Sequence, residues 1–126
     1  MTKAMLIATA VLEATTGIVL LAAPAWFSLI MLGAPVGVSA GIVLARVAGI
    51  ALIALGIICW RASHEAKGWV AWGIVAAMLF YNVAAAVLLV SARLGLCVTG
   101  AGVIPIAVLH AVMAAWCIGC MRTFRS

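Results

Sequence analysis

Glu13, Arg46, Asn82 and His110 are the residues of this chain whose types could do chemistry together, and each stands in a long apolar stretch. A carboxyl group, a guanidinium, a carboxamide and an imidazole can build an ion-pair network, hold a polar headgroup or relay a proton. Around them the chain is 70% hydrophobic and 7% charged. An ionisable group at the centre of a membrane helix costs about 2.5–3.5 kcal/mol on insertion scales. Four apolar stretches that each accept a strongly polar residue point to four groups meeting inside a bundle.

The elements that must position them follow from composition. A mean hydropathy of +1.44 with two acidic residues excludes an ordinary soluble domain, in which about a quarter of the residues are charged. Spanning a bilayer takes roughly 20 mainly apolar residues, and four such spans read out at about 4–23, 39–60, 69–91 and 102–121. Backbone groups in lipid must be satisfied within the segment, so the spans are helices. The ten-residue alternating segments of a membrane barrel are absent. The expected fold is all-α, a single integral membrane four-helix bundle over residues 1–126. Glu13 and the length of the first apolar run argue that the first span is a retained helix and not a cleaved signal peptide. Pro24 should end or kink that helix. Residues 25–32 should then lie along the outer interface, with Trp26 at headgroup level.

Charge gives an orientation. Lys3, Arg61, Lys67, Arg122 and Arg125 fall on one side of the four spans, and Arg93 alone on the other. Lys and Arg collect on the cytoplasmic side, so both termini are expected to be cytoplasmic, in a bacterial inner membrane. The net charge of +5 is then a membrane signature. There is no basic stripe with interleaved aromatics, so no nucleic-acid partner is expected.

Helical rise puts Glu13 about 15 Å, Arg46 about 10 Å, Asn82 about 13 Å and His110 about 12 Å from the outer ends of their spans. The four groups therefore share a layer slightly outside the midplane. Residues three, four and seven apart share a face. Thr9, Thr16 and Gly17 thus join Glu13, Gly49 and Ile42 join Arg46, and Met78, Ala85 and Ala86 join Asn82. Ala107, Met113, Ala114 and Cys117 join His110. The small residues on these faces are read as close packing between membrane helices.

Three readings compete for the layer. In one, Glu13 and Arg46 form a buried ion pair, with Asn82 and His110 satisfying leftover groups. That pair predicts strong destabilisation by Arg46→Ala. In the second, Glu13, Arg46, Asn82 and His110, with Tyr81 and Met78, form a ligand site for a small amphipathic molecule, a quinone, isoprenoid or lipid, its tail between helices. In the third, Glu13 carries protons for a transporter. The ligand site is the favoured reading, without enzymatic activity or an assigned catalytic residue, and no particular cofactor is implied.

Leu12-Glu13 with Gly17 and Pro24, Ala45-Arg46 with Gly49 and Gly56, Tyr81-Asn82 and Leu109-His110-Ala111 together resemble small bacterial four-helix membrane proteins of the DoxX-like group. The resemblance covers nearly the whole chain through short motifs. It implies a four-helix fold and a respiratory or sulfur-redox setting, and suits an accessory subunit of a larger membrane complex or a homodimer. Leu12-Glu13-Ala-Thr-Thr-Gly17 is also superficially similar to the first helix of small multidrug exporters. Arg46 in the same layer would neutralise Glu13 and disfavour a cationic drug.

Cys117 and Cys120 have dithiol spacing. With both termini cytoplasmic they face a reducing compartment, and they are read as packing residues. Structural zinc requires four ligands, so no metal site is expected. Cys97 is read as a free thiol near the outer surface.

Overall fold

The computed structural model describes residues 1–123; Arg125, counted in the charge asymmetry, lies outside them. Five α-helices and one short 3-10 turn make up the fold: α1 (Thr2–Ala22), α2 (Pro24–Leu32), α3 (Ser39–Ala62), the turn Ser63–Glu65, α4 (Trp69–Gly95) and α5 (Val103–Thr123). The four long helices are each long and apolar enough to cross a membrane. The chain is thus an all-α, multi-pass membrane protein. The expected spans match these helices to within a few residues, the largest difference being the extension of α4 to Gly95.

Pro24 ends α1 as its chemistry dictates, but it also opens a new helix. It occupies the first turn of α2, where its missing N–H leaves no intrahelical bond unmade. Gly33 closes α2 with φ +83°, and its N–H donates to the Leu29 carbonyl at 2.9 Å. This is the left-handed cap that glycine adopts without strain. Trp26, 59% exposed, points away from the bundle.

Two antiparallel hairpins form the body, α1 with α3 and α4 with α5. The first is a backbone-to-backbone contact. A Cβ on Gly17 would stand 2.5 Å from the Gly49 carbonyl oxygen, and one on Gly49 would stand 2.7 Å from that of Gly17. Further along, a Cβ on Gly56 would meet the Ala10 carbonyl oxygen at 2.9 Å. Hydrocarbon lipid gives apolar helices no hydrophobic reason to associate, so close van der Waals approach of small residues supplies much of the attraction.

The hairpins meet most tightly at the end of the molecule that carries the termini. Met5 and Leu6 of α1, Cys59 of α3, Val75 and Met78 of α4 and Cys117 and Cys120 of α5 are completely buried in one cluster there. Cys117 and Cys120 are therefore packed side chains, and all four cysteines are free thiols. Cys97 is exposed. In the detergent-solubilised native protein, a maleimide reagent is expected to label Cys97 within minutes and to reach Cys59, Cys117 and Cys120 only on unfolding. Rapid labelling of all four thiols by mass spectrometry would contradict this packing.

Candidate functional site

Toward the α2 end the hairpins separate and leave a cavity of about 620 Å³. Its wall is mostly hydrocarbon, contributed by residues such as Leu20, Leu52, Leu89 and Ile106. Four of the polar residues singled out above line it: Glu13 from α1, Tyr81 and Asn82 from α4, and His110 from α5.

These side chains form two short chains of hydrogen bonds. The Tyr81 hydroxyl donates to Glu13 Oε2 at 3.3 Å, across the gap between α4 and α1. Asn82 Nδ2 donates to the Met78 carbonyl at 2.7 Å, and its Oδ1 lies 2.8 Å from His110 Nδ1. The Tyr81 and His110 rings then meet edge to face, with centroids 5.5 Å apart, so the chains adjoin. Glu13 and Asn82 are buried, at 7% and 2% exposure. Among the described residues no buried side-chain nitrogen or oxygen lacks a partner. Glu13 Oε1 makes no hydrogen bond, so it must reach open space, and the open space beside Glu13 is the cavity.

Arg46 does not belong to this group. It is exposed on α3, it does not line the cavity, and it makes no ion pair with Glu13. Its neighbour Ala45 does line the cavity, and successive helical residues are turned by about 100°. Rise along the helix does not fix the direction in which Arg46 faces, and that direction is outward. Gly49 turns α3 onto α1, and that seating leaves Arg46 outside, where its long stem can carry the guanidinium toward the headgroups. The buried Glu13–Arg46 ion pair of the first reading is absent among the described residues. Met78 is a second correction. Its side chain is fully buried in the core rather than in the cavity wall, and its part in the site is its carbonyl.

This alters an expectation about stability. Arg46→Ala should now cost little, within about 0.5 kcal/mol as for an ordinary surface change. Glu13→Gln and Arg46→Ala should combine additively in thermal unfolding. A coupling above about 1 kcal/mol in that cycle would restore the pair.

Sequence reading missed the contribution of α2. Phe27, Ser28 and Met31 close one end of the cavity. The helix is tied down: Ser28 Oγ donates to the Ala25 carbonyl at 3.1 Å and accepts from the Val36 N–H at 2.8 Å. The Gly102 N–H donates to the Ile30 carbonyl at 3.2 Å, which joins α2 to the start of α5. A Cβ on Gly100 would collide with the Met31 carbonyl, so the loop lies directly on α2. Thr9 and Thr16 also line the cavity. Their spacing from Glu13 is the signal in the sequence that points to this.

No protein-family profile matches this chain, and neither does a curated protein or a solved structure.

Proposed function

We propose that this protein binds a small amphipathic molecule, a quinone, isoprenoid or lipid, within a bacterial inner membrane. The observation that carries this reading is the cavity of about 620 Å³, with apolar walls and a few polar groups gathered in one place. Sites for small molecules usually have that form and that range of volume. The headgroup would engage Glu13, Tyr81 and His110, and the tail would lie along Leu52 and Leu89. A bound tail exchanges lipid contacts for protein contacts, so affinity and selectivity must come mainly from the polar end.

The test is to extract the protein in a mild detergent and identify the molecules it releases by mass spectrometry. One amphiphile should be enriched well above its share of the membrane and depleted in a Glu13→Leu, His110→Leu variant that still folds. Release of bulk lipid alone, in the same proportions from both proteins, would overturn the proposal.

Proton-coupled transport through Glu13 is the second reading, and the position of Arg46 favours it more than the sequence did. No guanidinium neutralises Glu13 in the cavity. Glu13→Gln should then abolish uptake driven by a pH gradient in proteoliposomes. Uptake that survives the change would dismiss this reading.

For orientation, Lys3, Arg61, Lys67 and Arg122 all lie at the end opposite α2. That asymmetry supports cytoplasmic termini. A reporter active only in the cytoplasm should be active when fused to either terminus, and silence at both ends would reverse the topology.

A further inference from the structure

We infer that the headgroup taken by this cavity carries a hydroxyl, and that this hydroxyl donates its hydrogen bond to Nε2 of His110. The inference rests on the binding role proposed above and names the chemistry that role selects.

Asn82 fixes the tautomer of His110. Its Nδ2 lies 2.7 Å from the Met78 carbonyl, an acceptor without a proton to give. The amide nitrogen must therefore face Met78. Turning the amide over would set two oxygens against each other. The carboxamide oxygen is then left facing His110 Nδ1 at 2.8 Å. An amide oxygen only accepts, so Nδ1 carries the proton. Among the described residues His110 makes no ion pair with a carboxylate, and an unpaired imidazolium in hydrocarbon is strongly disfavoured. The neutral ring with a proton on Nδ1 has a bare lone pair on Nε2.

Nε2 makes no hydrogen bond, yet no buried side-chain nitrogen or oxygen among the described residues is without a partner. Nε2 therefore has accessible surface, and His110 lines the cavity. Tyr81, packed edge to face on the ring, limits how it can turn. Met78, Asn82 and His110 thus form a relay that sets one acceptor at the cavity wall. An acceptor in a largely apolar cavity discriminates between ligands. A ligand with an O–H satisfies it, whereas one with only ether or carbonyl oxygens, an oxidised quinone among them, leaves it unpaired, so of the ligand classes proposed above the site selects members that bear a hydroxyl. A site built to hydrogen-bond a group rejects the analogue without that group more strongly than an apolar site rejects a difference in size.

A matched pair of probes tests this: para-dodecylphenol and its methyl ether, para-dodecylanisole, with dodecyltrimethylammonium as a cation that has no donor. Binding to the detergent-solubilised protein is followed by tryptophan fluorescence or calorimetry. The phenol should bind at least about tenfold more tightly than the ether, the scale set by leaving one polar group unsatisfied. In His110→Phe that ratio should fall toward one while ether binding persists. Equal affinities in the unaltered protein, a ratio unchanged in His110→Phe, or preference for the ammonium would each overturn the hydroxyl inference and leave the cavity reading standing. Failure of all three probes to bind would overturn both. If His110→Phe does not fold, nitrogen NMR of His110 in the unaltered protein decides: a protonated Nδ1 with a bare Nε2 is expected, and a protonated Nε2 would overturn the inference.

Discussion

Gly17→Val is expected to leave the chain unable to fold. Two effects oppose each other at a helical glycine. Adding a side chain removes backbone freedom from the unfolded state, and glycine lies about 0.8–1.0 kcal/mol below alanine in helix propensity. Against this stands the contact itself. The first added carbon would lie 2.5 Å from the Gly49 carbonyl oxygen and 2.8 Å from Ile53 Cγ1. Neither the carbonyl nor its helix can swing aside as a flexible side chain would. Overpacking of ordinary side chains costs about 1–3 kcal/mol, and here two backbones must separate. Gly17→Ala should therefore lower the unfolding temperature despite its better propensity, and Gly17→Val should be recovered only as aggregate. Gly73, where an added Cβ meets nothing within 4 Å, is the control. Gly73→Ala should be neutral or stabilising by up to about 1 kcal/mol. A thiol-reactive dye suits the measurement, since Cys59, Cys117 and Cys120 become accessible only on unfolding. Wild-type unfolding of Gly17→Val would mean that α1 and α3 do not meet at these glycines. Gly17 also lies one turn from Glu13, so the milder alanine variant should weaken ligand binding through displacement of α1.

The second large effect is expected from Ala85→Trp. Ala85 lies on α4 one turn beyond Asn82 and lines the cavity. An indole at that position would occupy the space assigned to the ligand without removing a polar group. Binding of an amphiphile should fall by about a hundredfold or more, because a filled interior cannot open a void without losing its own packing contacts. Stability should be unchanged or improved, since a cavity lining gains contacts when filled. Leu94→Trp, at a position 78% exposed on the same helix, should leave binding intact. Undiminished binding to a folded Ala85→Trp protein would place the ligand elsewhere.

The four membrane helices were legible in the sequence because hydrocarbon imposes a length and forbids unpaired backbone groups. Pro24 marks the end of α1 for an equally local reason. That Glu13, Asn82 and His110 share one level of the bundle was legible too, since a helix advances by a constant rise. The direction each residue faces was not. In a soluble helix the polar face reports which way is out, but these helices have hydrocarbon on both sides and carry almost no such asymmetry. Tertiary structure decided it, through the seating of Gly17 on Gly49 and of Gly56 on Ala10. That contact turns Glu13 inward toward Tyr81 and leaves Arg46 outside. It also decided that Met78 serves through its carbonyl and that α2 walls the cavity. The polar inventory of this protein is thus a property of its sequence, read from composition and rise. The site is a property of rotation about the helix axes, which only packing between helices sets.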